Sequence, residues 1–312
     1  MENLTLTLRH LRVFRAIMAT GSATAAADKL AITQPAVSQQ LAQLEEALDL
    51  RLFERKAGRL VATDQAVELH REVANAFDSI ERIVNLASRL RADAPSVLRI
   101  GAPHSLGFQV LPQICGAFSA RYPGLAFEHQ AGRYEVVGGQ AAAGALDLAI
   151  LKRPVRHPGT EILCSFEARS VCIIPAKHPL AQQTGVFGPE DLKDAPLVML
   201  RRDSPSRHLL EQALLDAGVR PRVKVEAMTV AACCGFATAG LGVAVVNELM
   251  AMQFETPGVV LRPFEIEGDR QVFDLVTLAG VPVSPLTREF ADFMVAWVEK
   301  TLTAFRKRLT DV

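Results

Sequence analysis

Thr33-Gln34-Pro35-Ala36-Val37-Ser38-Gln39-Gln40-Leu41-Ala42-Gln43-Leu44-Glu45-Glu46-Ala47-Leu48 is the stretch on which the reading of this chain turns. Val37, Leu41, Leu44 and Leu48 recur at three- and four-residue spacing, so a helix here has one apolar face that packs inward. Thr33 stands where an N-cap belongs, and Pro35 falls in the first turn, where its missing N–H costs no hydrogen bond. The other face is polar. At its N-terminal end Gln34, Ser38 and Gln39 point away from the core.

Working outward, Leu11, Phe14, Ile17 and Met18 mark one face of an earlier helix that stops near Gly21. Ser22 can cap a second helix, whose Ala25, Ala26 and Ala27 allow close packing, and which ends near Leu30. Periodicity alone leaves open a plain three-helix unit whose polar face only meets water. The next segment, residues 52–61, reads as two short strands around Gly58 with Arg55, Lys56 and Arg59 at the tip. Together these make a winged helix-turn-helix, in which the N-terminal end of the third helix enters the major groove of DNA. A basic wing suits the backbone or the adjacent minor groove, and Ser22, Thr33 and the helix N-termini suit phosphates.

The residues resemble one family, the LysR-type transcriptional regulators. The match runs Leu11, Phe14, Gly21-Ser22, Ala26-Ala27, Leu30, Gln34-Pro35-Ala36-Val37-Ser38, Leu44-Glu45 and Leu52-Phe53-Glu54-Arg55, in family order and spacing. Looser motifs continue over essentially the whole chain. The resemblance implies an N-terminal all-α winged helix-turn-helix, a long linker helix, and an α/β two-lobed effector domain of periplasmic-binding-protein type. It also implies that Gln34, Pro35 and Ser38 touch the major groove, with Arg55 and Arg59 near the wing and backbone. One departure is visible: many relatives have Arg after the serine, whereas this chain has Gln39. Gln pairs well with adenine where Arg favours guanine, so an A·T contact is expected there.

Length and composition fit that outline. A chain of 312 residues suggests two or three domains, and 49% hydrophobic with 22% charged residues is a globular composition. Its 34 basic and 34 acidic residues exclude nucleic-acid binding by bulk charge, so any electrostatic footprint is local. Residues 1–63 hold eight basic against six acidic side chains, with the excess at 51–59. The five cysteines have neither disulfide-like nor zinc-like spacing and read as apolar fillers in a reducing compartment. No export signal or uncharged apolar run of spanning length is present, so a cytoplasmic protein with no membrane partner is expected.

The expected domains are 1–63 (DNA-binding), 64–93 (linker and dimerisation) and 94–312 (effector-binding). After the cap-like pair Thr63-Asp64, one heptad position holds Ala66, Val73, Ile80 and Ala87, and the other Leu69, Ala76, Ile83 and Leu90. That is a pairing seam, although its alanines leave open a helix packed on its own domain. The family resemblance favours a homodimer, or a homotetramer built as a dimer of dimers. Two heads about a two-fold axis predict an inverted-repeat operator in double-stranded DNA. RNA polymerase is a further candidate partner.

After the break at Ala94-Pro95-Ser96 the pattern alternates strand and helix. Strands at 97–100, 126–130 and 146–150 with helices at 111–122 and 136–144 form a βαβ series with a parallel sheet. A second series uses strands at 171–174, 197–200, 223–226 and 243–246 and helices at 206–217 and 230–239. A strand at 273–279 and a helix at 286–306 return to the first. Lobe I is therefore expected at 96–166 and 272–312, and lobe II at 167–271. Ligands in open α/β sheets lie beyond the carboxyl ends of strands, against helix N-termini. The candidates so placed are His104-Ser105, Arg133, Lys152, the run Asp203-Ser204-Pro205-Ser206-Arg207 and Thr229, of which the hydroxyls of Ser105, Ser204, Ser206 and Thr229 and the charges of Arg133 and Lys152 together suit a carboxylate. Each serine or threonine taken singly is as well read as a simple cap. The resemblance places Ser105, Arg133 and Lys152 at usual effector positions and points to an amino acid or opine. Gly240-Leu241-Gly242 lacks the third glycine of a nucleotide fingerprint. No catalytic residue, metal ligand or cofactor is expected, because His104-Ser105 has no assignable acid and Cys233-Cys234 lies in an apolar helix.

Overall fold

The structure, a computed structural model, describes residues 6–56, 59–92, 96–267 and 270–310. The chain divides into two compact units, Met1–Asp93 and Ala94–Val312.

The first unit comprises α1 (Leu8–Thr20), α2 (Ala23–Leu30), α3 (Gln34–Leu48), the hairpin β1 (Phe53–Lys56) and β2 (Arg59–Ala62), and α4 (Asp64–Ala92). Gly21 ends α1 in the left-handed conformation (φ 66°), which glycine adopts without a Cβ penalty. Val13, Ala16 and Ile17 of α1 bury against Ala26 and Ala27 of α2 and Val37 and Leu41 of α3. The small alanines let α2 sit close. Thr63 caps α4 through Ala66 N (3.2 Å) and donates to Arg51 O (2.9 Å), fixing where the wing ends and the long helix begins.

The heptad reading of α4 needs correction. Ala66 and Val73, expected in the pairing seam, are buried with Phe14, Leu44, Leu52 and Phe77 in the core of their own unit. The first turns of the apolar stripe are therefore taken up within their own unit. Farther along, Ile83 is 66% exposed and Val84 is also exposed. The side chains of Ala87 and Leu90 lie outside the described residues.

The second unit has two lobes. Lobe I contains β3 (Val97–Pro103), α5 (His104–Phe108), α6 (Val110–Ser119), β4 (Ala126–Gly132), α7 (Tyr134–Ala142), β5 (Leu148–Lys152) and β6 (Thr160–Ala168). The chain crosses at Arg169 into β7 (Ser170–Pro175), β8 (Pro196–Leu200), α8 (Pro205–Asp216), β9 (Arg222–Ala227), α9 (Val230–Thr238), β10 (Ala244–Asn247), α10 (Glu248–Ala251) and β11 (Val259–Phe264). It returns as β12 (Gln271–Leu278) and α11 (Pro285–Thr310).

The lobe I sheet runs β4-β3-β5-β12-β6 and is mixed rather than wholly parallel. β3 pairs in parallel with β4 and β5, as βαβ connections require, but β12 is antiparallel to both β5 and β6. The reason is that β12 arrives from the other lobe and not through a crossover helix. In lobe II, β10-β7-β11 is antiparallel and β8-β9 parallel. β6 and β11 escape a hydrophobic-run search because both are edge strands: β6 carries Glu161 and Glu167 on exposed positions, and β11 tolerates Pro263. Helix α11 lays Phe290, Met294, Val298, Leu302 and Phe305 into a core that draws on both lobes. Among the described residues no helix is long and apolar enough to cross a membrane.

Candidate functional site

In the first unit the polar end of α3 is accessible. Gln34, Pro35 and Gln39 are exposed, and Ser38 is half-buried one turn in from Gln34. Gln34 Nε2 donates to Ser38 Oγ at 2.8 Å, so the two side chains form a preset pair rather than two independent rotors. Thr33 occupies the N-cap position, as its type suggests, but makes no side-chain capping bond and is exposed. That hydroxyl is therefore not spent on its helix. Ser22 does cap α2, accepting from Ala25 N at 3.4 Å.

Glu45 sets the wing against α3: its Oε1 accepts from Leu52 N (2.7 Å) and Phe53 N (3.1 Å). Sequence reasoning found Glu45 only as part of a motif and missed this coupling. The register Lys56↔Arg59 and Arg55↔Leu60 puts three basic residues beside the turn. Gly58 and the side chains of Arg55 and Arg59 lie outside the described residues.

In the second unit the predicted residues meet across the gap between lobes. Lys152, the last residue of β5, donates from Nζ to Ser206 Oγ (2.9 Å) in the first turn of α8 and to Gln271 Oε1 (2.9 Å) at the start of β12. Gln271 Nε2 in turn donates to Ser170 Oγ, so the network joins both crossover strands. Arg133, the N-cap residue of α7, pairs with Asp203 across the lobes at 3.3 Å, and Arg201 approaches the same carboxylate at 3.8 Å. Ser105 Oγ accepts from Ala231 N (3.3 Å) in the first turn of α9, while Thr229 caps that helix through Ala232 N (3.2 Å). Two hydroxyls thus sit at the positive end of the α9 dipole. Ser204 is the N-cap residue of α8 without a side-chain capping bond.

Gln271 and Ser170 were not among the sequence candidates, whereas Asp203 stood in the candidate run before α8. Ser170 carried a signal, since it is a polar residue opening an otherwise apolar strand. Arg207, a member of the candidate run, is instead spent on structure: buried, it bonds Glu211 (3.0 Å) and Leu200 O (2.9 Å). Burial pushes the thiols of Cys115 and Cys164 up to about 11 and those of Cys233 and Cys234 to about 12, which keeps these four in the protonated form near neutral pH.

A winged helix-turn-helix followed by a two-lobed α/β receptor with polar groups converging between its lobes defines a ligand-responsive regulator of transcription. Comparison with known families makes this specific. Residues 8–67 match the bacterial regulatory helix-turn-helix protein, lysR family, and residues 91–299 match the LysR substrate binding domain. The chain belongs to the LysR family of transcriptional regulators, which are DNA-binding proteins and not enzymes. It is 33% identical to the transcriptional activator protein LysR of Escherichia coli (strain K12), over 95% of each chain. It is 28% identical to the octopine catabolism/uptake operon regulatory protein OccR of Rhizobium meliloti, over 92% of this chain and 95% of that one. In fold it is similar to full-length CbnR in complex with its target DNA, with a TM-score of 0.67, 18% identity, and coverage of 93% and 99%.

Proposed function

We propose that this regulator reads an inverted-repeat operator through paired heads and is switched by a small amino-acid-like carboxylate held between the lobes of its second unit. On the DNA side the reading residues are Gln34, Pro35, Ser38 and Gln39, with Ser22 and Thr33 on phosphates and Arg55 and Arg59 on the backbone beside the wing. The exposed, hydrogen-bonded pair Gln34–Ser38 supports this, since a preset pair loses little side-chain entropy on meeting a base edge.

The observation that carries the effector reading is that three separate lobe I candidates each touch lobe II: Lys152 with Ser206, Arg133 with Asp203, and Ser105 with Ala231 N. A carboxylate suits Lys152, Arg133 and the hydroxyls of Ser105, Ser204, Ser206 and Thr229. Asp203 is paired with Arg133 and approached by Arg201, but these exposed pairs are weak, and a ligand ammonium group that replaces them favours a ligand carrying both charges. The relative OccR is named for octopine, an amino-acid conjugate, which agrees with that chemistry. Effector binding changes the angle between lobes, and the linker helix passes the change to half-site spacing and DNA bending.

The test is a thermal-shift screen of amino acids and opine-type conjugates on the full chain, followed by footprinting on the operator with each hit. A true effector at a hundred times its Kd stabilises the fold by about 2.7 kcal/mol. Lys152→Met abolishes that shift and leaves operator binding without effector in place. A hit whose stabilisation survives Lys152→Met and Arg133→Gln together, or which leaves the footprint unaltered, overturns the reading.

A further inference from the structure

We propose that lobe I carries a second small-molecule site, separate from the gap between lobes, for a small organic monoanion with an apolar body. Helix α7 covers only part of one face of the lobe I sheet, packing Val137 and Ala141 against Leu146, Ala149, Leu151 and Val276. Beside it the β12–β6 half of that face is open, and the loop between β5 and β6 folds over as a wall. The resulting pocket has a volume of about 410 Å³, within the range of small-molecule sites. Its walls are apolar: Leu151, Val155, Pro158, Ile162 and Val276.

The charges around it select the ligand's sign. Asp274 lies at the pocket and is buried, but its carboxylate is already engaged by Arg153 (Nε 2.9 Å, Nη2 2.9 Å) and by Ser165 Oγ (2.6 Å). It therefore does not call for a cationic guest. Arg156 also lines the pocket; among the described residues it makes no hydrogen bond or close ion pair, but its charge is felt by Asp274. Two guanidiniums therefore surround one carboxylate that is hydrogen-bonded to Arg153 alone of the two, and one positive charge is in excess. An apolar slot with that excess charge accommodates a branched aliphatic or aromatic carboxylate, its body against Ile162 and Val276 and its head on Arg156. His157, on the same wall, sits against Gly138 of α7, so its ring reports on the pocket.

The site differs from the gap between lobes in its residues and in the face of the sheet it uses. It nonetheless shares β5, since Leu151 lines the pocket and the next residue, Lys152, reaches lobe II.

The experiment is calorimetric titration of the full chain with isovalerate and with phenylacetate, paired with NMR of histidine-labelled protein. Binding is expected, with the His157 ring resonances shifting, unchanged by Lys152→Met and weakened at least tenfold by Arg156→Gln. Ile162→Trp, at an exposed position that tolerates a larger side chain, fills the slot and abolishes binding. The proposal is overturned if neither probe binds, if Arg156→Gln and Ile162→Trp leave binding unaltered, if Lys152→Met removes it, or if isobutylamine binds in place of the acids.

Discussion

Removing the guanidinium of Arg306 by Arg306→Met exposes how the two lobes are held. Glu248 on α10 of lobe II is 1% exposed, and Arg306 on α11 of lobe I reaches it through Nε at 3.0 and 3.2 Å. The same carboxylate accepts from Arg169 N (2.6 Å), at the crossover between lobes. Breaking a fully buried ion pair from one side costs about 3–5 kcal/mol, because a charge is left without its partner. Here Arg306 is 31% exposed and the Arg169 N–H remains, so water and that bond recover part of the loss. A destabilisation of about 2–3 kcal/mol is expected, or about 5–10 °C in Tm for a unit of this size. Glu248→Gln keeps the shape and the bond to Arg169 while releasing an arginine that can reach solvent, so its cost is smaller. The double variant should be less destabilised than the two single effects added, with a coupling of about 1 kcal/mol or more. Urea unfolding followed by Trp297, the chain's one tryptophan and a residue of α11, reads the second unit directly. A loss below about 1 kcal/mol for Arg306→Met, or strict additivity in the double variant, would refute the reasoning.

Asp274 gives a pH signature. Burial alone would push its carboxyl up, but hydrogen bonds from Arg153 and Ser165 and the charges of Arg153 and Arg156 outweigh this and hold it below the usual carboxylate value. Its contribution is present above about pH 4 and is lost as pH falls through the folded-state value, so the stability difference between the native chain and Asp274→Asn should be constant at pH 6–8 and shrink below about pH 4 in urea titrations. At Gly242 an added Cβ would lie 2.4 Å from Pro196 O, a backbone atom that cannot step aside, so Gly242→Ala should cost about 1–3 kcal/mol in chemical denaturation. Gln39→Arg should turn an A·T preference into G·C at one position of each half-site in a binding-site selection, by about 1–3 kcal/mol; an unaltered preference removes Gln39 from the base readout.

The head was legible because its signals are local. Helical spacing of Val37, Leu41 and Leu44, the stop at Gly21 and the cap at Ser22 each follow from a few neighbouring residues, and the structure has them where those residues indicate. The β3-β4-β5 core of lobe I was legible for the same reason. What the sequence hid are features set by contacts between distant segments. The burial of Ala66 and Val73 in the head's own core, rather than in a pairing seam, depends on where Phe14 and Leu52 stand. β12 runs antiparallel because of its path through lobe II, which no local pattern encodes. Strand ends shifted by two residues, and this moved Lys152 onto β5 itself and Arg133 onto the N-cap of α7. Gln271 and Ser170 are ordinary polar residues until the fold brings them beside Lys152.

Beside the shared apolar core, the polar contacts around Glu248 and around the proposed effector residues differ in the cost of breaking them. Glu248 is buried, and separating it from Arg306 and Arg169 N strands a charge away from water. The pair Arg133–Asp203 is exposed on both sides, with side chains 66% and 49% accessible, and such pairs contribute at most about 1 kcal/mol. The Ser105–Ala231 bond is neutral and long at 3.3 Å, and the Lys152–Ser206 bond is one hydrogen bond at the gap's edge. Motion between lobes should therefore open the side where the proposed effector residues lie and pivot on the crossover beside Glu248. A ligand shifts such an equilibrium only by the difference in its affinity for the two arrangements, and about 5.5 kcal/mol moves it from 1:99 to 99:1. A zwitterion spanning Lys152 and Ser105 at its carboxylate and Asp203 at its ammonium would meet all its partners only when both lobes face it. Under the proposed reading that requirement would supply the differential affinity, since the site would draw its polar groups from opposite lobes instead of lining either lobe alone.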